Sequence, residues 1–248
     1  MLKTQLVFKM SVLIIDIETT GLELQTHEIT VIGTILYDPV KKIMVNIECF
    51  NVIINKIDEN TQGMLDVKKK VAQILADCTS IVAFNGNKFD MPFILKWLEE
   101  SPSCDIILSG IESKYVDFCA ISKIVAKSYI SLNNVCVLNQ IQVCKSANGA
   151  QAVIWAREHE WKKLSDYCMQ DVFVLLELTQ HAIEHGLYFT GVNMNKRAHV
   201  KASEKILVVF DDQLQHTRAC DKLLNLNDKN TSQQSLTKVC FEDVFSNQ

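Results

Sequence analysis

The sequence has little glycine or proline: 248 residues contain eight glycines and three prolines. Disordered chains are usually rich in both, so this composition predicts a folded protein over most of the length. No run of 18 apolar residues occurs, which argues against a membrane-spanning helix. Neither sign of charge dominates, since 25 basic and 29 acidic residues give a formal net charge of −4. That balance neither indicates nor excludes a polyanionic partner.

Paired cysteines are also lacking. The nine cysteines are scattered singly, without a Cys-x-x-Cys pair. Five of them lie in apolar runs, as free thiols in a protein core do: Cys49, Cys78, Cys119, Cys136 and Cys168. The odd number, together with an N-terminus that lacks the signal-peptide pattern, predicts an intracellular, reducing compartment such as the cytoplasm or nucleus.

The order of apolar segments predicts the fold class. Three segments rich in β-branched residues come first and predict an antiparallel meander, at 12–17, 29–37 and 43–52. Short strands are then predicted at 80–85 and 115–118. Helical spacing predicts helices at 66–78, 90–99, 119–141, 150–158 and 161–185. The prediction is an α/β protein with a mixed sheet, antiparallel meander first, flanked by helices.

Two regions divide the chain, a domain over 1–190 and a C-terminal extension over 191–248. The extension is rich in Asn, Ser, Gln and Thr at 222–238, so it is predicted to be partly disordered. Within it, KILVVF (205–210) predicts one more strand or a packed segment. The basic stretch NKRAHVK (195–201) fits a nucleic-acid backbone contact or, preferably, a solvated loop. The lysines at 68–70 are predicted to form the solvated face of a helix.

Two acids end the first apolar segment, VLIIDIETTG (12–21). Asp16 and Glu18 are two residues apart, so on a strand they point to the same face. Two like charges at the end of a buried strand are costly unless a cation lies between them. This pair therefore predicts a cation-binding site at the end of the strand.

Two further acids lie in apolar surroundings. Asp90 begins an apolar helix in FNGNKFDMPF, where a helix N-cap is the alternative interpretation. Asp171 lies on the core-facing stripe of the predicted 161–185 helix, one turn after Tyr167 and on the same face. Carboxylates are the ligands that Mg²⁺ and Mn²⁺ prefer, and no His or Cys cluster indicates zinc.

The stretches DIETTG, FNGNKFD and YCMQD resemble the three exonuclease motifs of the DEDD (DnaQ-like) superfamily, 3′–5′ exonucleases of RNase H-like fold. The resemblance covers about residues 12–185. The stretch YVDFCAISKI…SLNNVCVLN is similar to the proofreading domains of B-family DNA polymerases. Tyr167 stands four residues before Asp171, whereas Asp166, rather than a histidine, stands five before it. The chain thus resembles the tyrosine (DEDDy) subtype.

The resemblance implies a two-metal-ion mechanism. Asp16, Glu18, Asp90 and Asp171 are implied to hold two divalent cations, Mg²⁺ or Mn²⁺, with Tyr167 orienting the attacking water. The implied reaction hydrolyses DNA or RNA from the 3′ end and releases nucleoside monophosphates. The implied domain is therefore an RNase H-like exonuclease over 1–190.

Five residues near the motifs are implied to bind the terminal nucleotides of the substrate: Thr19, Gly21, Leu22, Asn85 and Phe89. Local alternatives exist, with Thr19 and Gly21 as turn residues and Leu22 and Phe89 as core residues. The implied partners are single-stranded or 3′-ended nucleic acid and a polymerase or replication or repair complex in trans, with no membrane.

The alternatives to a DNA exonuclease are an RNA exonuclease, a non-catalytic module and an oxidoreductase. The sequence does not decide between DNA and RNA, because that choice depends on contacts to the 2′-hydroxyl. A non-catalytic RNase H-like nucleic-acid-binding or scaffolding module is the main alternative, although such relatives usually lack one of the acids. A nucleotide-binding oxidoreductase would need a glycine-rich turn after the first strand, and DIETTG has one glycine.

Overall fold

The computed structural model describes residues 11–57, 61–99, 114–126, 128–142, 148–185 and 187. The predictions made for residues 191–248, including the segments 195–201 and 205–210, lie outside the described residues.

Five strands form one sheet in the described part of the chain: β1 Val12–Thr19, β2 Ile29–Asp38, β3 Ile43–Asn51, β4 Ser80–Ala83 and β5 Tyr115–Asp117. Their order is β3-β2-β1-β4-β5. β1, β2 and β3 pair antiparallel, whereas β4 is parallel to both β1 and β5. The predicted mixed sheet with its antiparallel meander first is confirmed. The Asp38 carboxylate accepts the backbone N–H groups of Val40 and Lys41, which closes the β2–β3 turn.

The described residues contain seven helices: α1 Val52–Ile57, α2 Thr61–Asp77, α3 Asp90–Glu99, α4 Phe118–Ala126, α5 Leu132–Leu138, α6 Gly149–Arg157 and α7 Trp161–His185. The predictions for α3, α6 and α7 are confirmed. None of these helices is both long enough and apolar enough to cross a bilayer.

Three details of the helix prediction are wrong. The region 119–141 is two helices, because the Ser131 side chain accepts the N–H of Asn134 and starts α5 anew. α2 begins at Thr61, before the predicted start. α1 was missed because its β-branched residues favour a strand; Val52 is buried and α1 packs on β2 and α2, so tertiary contacts override that propensity.

Helices cover both faces of the sheet, which explains the unbroken apolar run of β1. Val12 and Ile14 pack in one cluster with Val172 of α7, and Leu13 and Ile15 pack in another with helices α2 and α3. We name these the α7 face and the α3 face of the sheet. The fold is a helix–sheet–helix layering with a core on each side.

A glycine in β2 allows α7 to approach the sheet closely. A Cβ atom at Gly33 would lie 2.9 Å from both Cys168 Sγ and Val172 Cγ2, which is closer than real Cβ contacts. α7 therefore packs against bare backbone at this point, beside the strand that carries the first two acids.

Candidate active site

The sheet register directs the two acids of β1 toward α7. Asp16 pairs with Gly33 and Glu18 pairs with Val31 on β2. Directly opposite residues share a face. Gly33 is the position that α7 approaches, and Val31 belongs to a cluster with Tyr167 of α7. Both carboxylates thus lie on the α7 face at the carboxyl end of β1.

Helix α7 brings Tyr167 and Asp171 to the same place. Their relative exposures are 4% and 9%, and a hydrogen bond joins their side chains. Burial, and after it the negative charges of Asp171, Glu18 and Asp16, raise the pKa of Tyr167 far above its ordinary value. The phenol therefore stays protonated and acts as a hydrogen-bond donor among three carboxylates.

Asp90, the third of the four motif acids along the chain, is hydrogen-bonded directly to β1. Its Oδ1 accepts the backbone N–H of Ile17 at 3.1 Å, and its side chain is almost fully buried. β1 and β4 pair only as far as Ile14 and Val82, so Ile17 lies past the end of that ladder. The carboxylate thus satisfies a strand N–H between Asp16 and Glu18. This bond joins Asp90 to β1, whereas the N-cap alternative considered for Asp90 would involve only its own helix.

Burial, with a smaller contribution from the negative charge of Asp117, raises the pKa of Asp90 to about 7, although hydrogen bonds from backbone N–H groups act in the opposite direction. The Asp117 carboxyl is itself buried, which raises its pKa as well. Two acids held together in a protein interior are stabilised when a proton or a cation reduces their charge.

The described acids do not form a ready metal cluster. Within the described ranges, no group of three or more Asp, Glu, His or Cys side chains is placed to hold a metal ion. The four motif acids nevertheless fit a metal in residue type, because an all-carboxylate set suits Mg²⁺ or Mn²⁺. Like charges repel one another, so a cation would be needed to draw these side chains together.

The turn after β1 contains three of the implied substrate-binding residues. The buried Thr19 hydroxyl donates to the Gly21 carbonyl, and a Cβ on Gly21 would collide with the ring of His27. This geometry is the local turn considered as the alternative for both residues. Leu22 is 77% exposed, so the alternative that it is a core residue is wrong.

The other two implied substrate-binding residues belong to the β4–α3 connection. Asn85 has a positive φ of 66°, donates its N–H to Asp117 Oδ1 at 2.8 Å, and accepts from Lys123 Nζ at 3.2 Å. Asparagine tolerates this left-handed backbone better than most residues. Phe89 is half-buried, with its ring 5.1 Å from that of Phe93, and it packs against the core on the α3 face.

Asp117 organises this region, and the sequence reasoning did not single it out. Its Oδ1 accepts the N–H groups of Asn85, Cys119 and Ala120 at 2.8, 2.9 and 3.2 Å. Its Oδ2 accepts the N–H of Asn87 at 3.1 Å. One carboxylate thus caps α4 and fixes the connection that leads to Asp90. An Asp between a strand and a helix is the N-cap signal that would have found it.

A second unpredicted contact supports Tyr167. The ring of Trp155 on α6 meets the Tyr167 ring edge-on, with 6.0 Å between centroids. This edge-on contact restricts the position of the Tyr167 ring.

The prediction that residues 68–70 form a solvated face is wrong for Lys68. This side chain is 7% exposed, and its ammonium lies 5.3 Å from the centroid of the Trp97 ring. It lines a cavity of about 360 Å³ together with Lys56 and Lys96. The cavity is on the α3 face, opposite to Asp16 and Glu18.

Comparison with known proteins places the chain in a family. The model of the RNase_H_2 family, of the RNase H superfamily, matches residues 13–183. Similar solved structures include E. coli exonuclease I with a dT13 oligonucleotide, with 10% identity, 71% of this chain and 41% of that chain covered, and a TM-score of 0.46. For E. coli exonuclease I with a 5cy-dA13 oligonucleotide the identity is 11%, the alignment covers 69% of this chain and 40% of that chain, and the TM-score is 0.40. For exonuclease I in its apo form the identity is 11%, the alignment covers 69% of this chain and 41% of that chain, and the TM-score is 0.45.

The chain spans about two fifths of the length of these exonuclease I structures. No curated protein matches it. The family match covers most of the chain and includes all three acidic motifs and the five strands that place them. The chain therefore belongs to the RNase H superfamily.

Proposed function

We propose that the protein is a metal-dependent 3′–5′ exonuclease of the tyrosine DEDD subtype, similar to the proofreading domains of B-family DNA polymerases. It would hydrolyse the terminal phosphodiester of DNA or RNA and release nucleoside monophosphates. The observation that carries this proposal is the hydrogen-bonded pair Tyr167–Asp171, buried on α7 and electrostatically coupled to Asp16 and Glu18 of β1.

In this proposal Asp16, Glu18, Asp90 and Asp171 hold two divalent cations, Mg²⁺ or Mn²⁺. When bound, such ions lower the pKa of a water and offset charge on the phosphate. Tyr167 has a different task, because its raised pKa keeps the hydroxyl protonated. A protonated phenol is suited to orient the attacking water by hydrogen bonding, and it is not suited to remove its proton.

Substrate would reach this site across the turn after β1. The exposed Leu22 side chain is available to pack against a terminal base, while the Thr19–Gly21 turn shapes the backbone beneath it. Asn85 and Phe89 would line the path of the next nucleotides from the β4–α3 connection. Any base can stack on an apolar or aromatic side chain, so these contacts do not require a particular nucleotide sequence.

One observation favours a second function, a non-catalytic RNase H-like nucleic-acid-binding or scaffolding module. In the described residues no three acids are placed to hold one ion. A module of this kind would bind nucleic acid through the same surface without hydrolysing it. The two functions differ in whether a cation brings the four acids together.

Digestion of 5′-labelled single-stranded DNA and RNA separates the two proposals. Each substrate would be incubated with Mn²⁺, Mg²⁺ or EDTA, and with the variants Asp16→Asn and Asp171→Asn. Asp166→Asn is the matched control, because Asp166 is an exposed acid on the same helix, paired with Lys162 at 2.7 Å. We expect a ladder that shortens from the 3′ end, that EDTA and both motif variants abolish, and that the control retains.

Intact substrate in every lane, with binding retained in a gel-shift assay, would instead establish the non-catalytic module. Cleavage within the strand would contradict the exonuclease and retain the metal site. The relative rates on DNA and RNA would identify the preferred substrate.

The proposal also covers the cellular compartment and the partners of the protein. We propose that the protein acts in a reducing compartment, cytoplasm or nucleus, on single-stranded or 3′-ended nucleic acid, in trans to a polymerase or a replication or repair complex. The described cysteines support the reducing compartment, since all five are free thiols: Cys49, Cys78, Cys119, Cys136 and Cys168.

A further inference from the structure

A cavity of about 360 Å³ lies between helices α1, α2 and α3 and the connection from β1 to β2. Its volume falls within the range of small-molecule sites, about 300–1,000 Å³. The cavity is on the α3 face of the sheet, whereas Asp16 and Glu18 lie on the α7 face. None of its described lining residues is one of the four motif acids. We name it the lysine cavity, after Lys56, Lys68 and Lys96, which line it.

The inner wall of the lysine cavity is apolar. Ile29, Val52 and Phe93 line it, and each is 4% exposed. The half-buried Trp97 adds an aromatic ring, and Met64 adds a flexible thioether. Small-molecule sites typically combine such an apolar lining with a few polar groups that fix the orientation of the ligand. A ligand of this cavity should therefore carry an apolar or aromatic group as well as a polar one.

Three helices each contribute one lysine to the cavity. Each lysine stands one helical turn after an apolar lining residue, so both lie on the same face of their helix. Glu28 is the one carboxylate among the described lining residues. Three ammonium groups thus accompany a single carboxylate. A phosphate monoester, with a charge of about −1.5 to −2 at neutral pH, matches this excess of positive charge.

Lys68 distinguishes this cavity from an ordinary basic patch on the surface. Its side chain is 7% exposed, and its ammonium lies 5.3 Å from the centroid of the Trp97 ring. An ammonium in a protein interior costs free energy, which anions and aromatic faces offset. Lysine is seldom buried to this extent. Lys68 therefore provides a fixed positive charge in the wall of the cavity.

Lys56 and Lys96 are exposed, and each keeps N–H donors for a ligand. Lys56 Nζ bonds both carboxylate oxygens of Glu28, at 2.6 and 2.5 Å. Lys96 Nζ donates to the Leu24 carbonyl at 2.7 Å. Within the described part of the chain, these bonds use two of the three donors of Lys56 and one of the three of Lys96. The Lys56–Glu28 pair is also more than half exposed, and exposed pairs contribute little to stability, so a ligand can compete for it.

We propose that the lysine cavity binds a nucleoside monophosphate, with the phosphate bound by Lys56, Lys68 and Lys96 and the base beside Trp97. Lysine binds phosphate as a point charge, and three such charges on separate helices surround one anion. An aromatic ring beside an apolar wall suits the flat face of a base. The volume is near the lower end of the range for ligand sites, which favours one nucleotide over a dinucleotide.

This inference does not depend on the proposed exonuclease function, but one segment joins the two sites. Residues 20–28 contribute His27 to the lining of the lysine cavity, and they include the exposed Leu22, which we propose to contact a terminal base. The His27 ring lies directly against Gly21 of the same segment. A nucleotide in the cavity would therefore contact the connection that also borders the candidate active site.

Isothermal titration calorimetry of the full-length protein in EDTA tests the proposal, with AMP, adenosine and inorganic phosphate as probes. Without cations, the negative charge of the motif acids disfavours phosphate at the candidate active site. Nuclease activity is not needed for this measurement. We expect AMP to bind one-to-one with a Kd below about 1 mM. Adenosine and phosphate should each bind at least about ten-fold more weakly, because each lacks one of the two recognised groups.

Two lysine variants locate the binding site. Lys68→Met removes the ammonium and keeps a long side chain, so we expect the Kd for AMP to rise at least about ten-fold. Lys69→Met is the matched control, because Lys69 is the exposed neighbour on α2 and is not among the lining residues; its Kd should equal that of the wild type. Lys96→Met should also raise the Kd. Since Lys96 is exposed, this variant decides the question if thermal unfolding shows that Lys68→Met is not folded.

Absence of AMP binding up to about 1 mM would overturn the proposal. AMP binding that the folded cavity variants leave unchanged would also overturn it, because the nucleotide would then bind elsewhere. Phosphate binding as tight as that of AMP would reduce the cavity to a site for inorganic anions. A thymidine oligonucleotide of about ten residues is the last probe. If its affinity depends on Lys68 whereas AMP does not bind, the phosphate belongs to a strand and the mononucleotide assignment is wrong.

Discussion

Asp90 Oδ1 accepts the backbone N–H of Ile17, the residue between Asp16 and Glu18, across 3.1 Å. This single bond fixes the start of α3 to the end of β1, so the second acidic motif is positioned by the backbone of the first. The bond also gives a buried strand N–H its acceptor beyond the end of the β1–β4 pairing.

Replacing Asp90 separates its structural role from its charge. In Asp90→Asn the amide oxygen still accepts the Ile17 N–H, so we expect a free energy of unfolding equal to or above that of the wild type. In Asp90→Ala the N–H is left buried without an acceptor, which costs about 1–3 kcal/mol. Urea unfolding followed by circular dichroism measures both values. Equal stabilities for the two variants would show that the hydrogen bond does not stabilise the fold.

Stability should depend on pH through the same side chain when no metal is present. The pKa of Asp90 is about 7 in the folded protein, against an ordinary 3.8. Between these values the folded state keeps a proton that the unfolded chain releases, so the free energy of unfolding falls as pH rises from about 4 to about 7 and then levels off.

Urea unfolding in EDTA at pH 5 and pH 8 measures this dependence. We expect the wild type to lose more stability between the two pH values than Asp90→Asn, which has no titrating group there. Asp117, whose pKa is also raised, contributes in the same direction in both proteins. Parallel losses in the two proteins would mean that Asp90 does not titrate in this range.

Tyr167→Phe tests the positioning of the water in the proposed mechanism. We expect kcat to fall about 10- to 100-fold with little change in stability, because one hydrogen-bond donor is removed and the ring is kept. Tyr129→Phe is the control, since Tyr129 is 63% exposed. The wild-type rate should show no alkaline limb that depends on Tyr167, because its pKa is raised far above the ordinary value. If the wild-type rate shows an alkaline limb that is absent in Tyr167→Phe, Tyr167 would instead act as a base.

Asp117→Ala should destabilise the β4–α3 connection. Four backbone N–H groups lose their acceptor, and we expect a loss of about 2–4 kcal/mol. Asp117→Asn keeps the oxygen that accepts from Asn85, Cys119 and Ala120, so its loss should stay within about 1 kcal/mol. Thermal unfolding of both variants measures the difference. A similar loss in the two would indicate that the charge, rather than the acceptor, stabilises this region.

Gly33→Ala tests the close approach of α7 to β2. The added methyl would lie 2.9 Å from Cys168 Sγ and Val172 Cγ2, so we expect a loss of about 1–3 kcal/mol. Gly149→Ala is the matched control, because nothing lies within 4 Å of its Cβ position at the start of α6. The control should retain or slightly gain stability. A neutral Gly33→Ala would show that α7 can move away from the sheet without cost.

Much of the fold was predictable from local sequence. The apolar runs of β1 and β2, the turn at Asp38 and the helical spacing of α7 each specify their own element, because side-chain periodicity follows directly from backbone geometry. α1 was missed because its β-branched residues adopt a helix only where β3 ends and the chain packs on β2 and α2.

The sequence by itself determined the chemistry that this protein can offer: four carboxylates in apolar surroundings and a tyrosine one helical turn from the last of them. Residue types and short spacings are local properties, so the chain carries them before it folds. Only the tertiary structure decided which groups meet. The bond of Asp90 to Ile17, the N–H groups of Asn85 and Asn87 that Asp117 accepts, and the burial of Lys68 under Trp97 each join elements distant in sequence. Such contacts depend on strand order and helix packing, which no local pattern encodes.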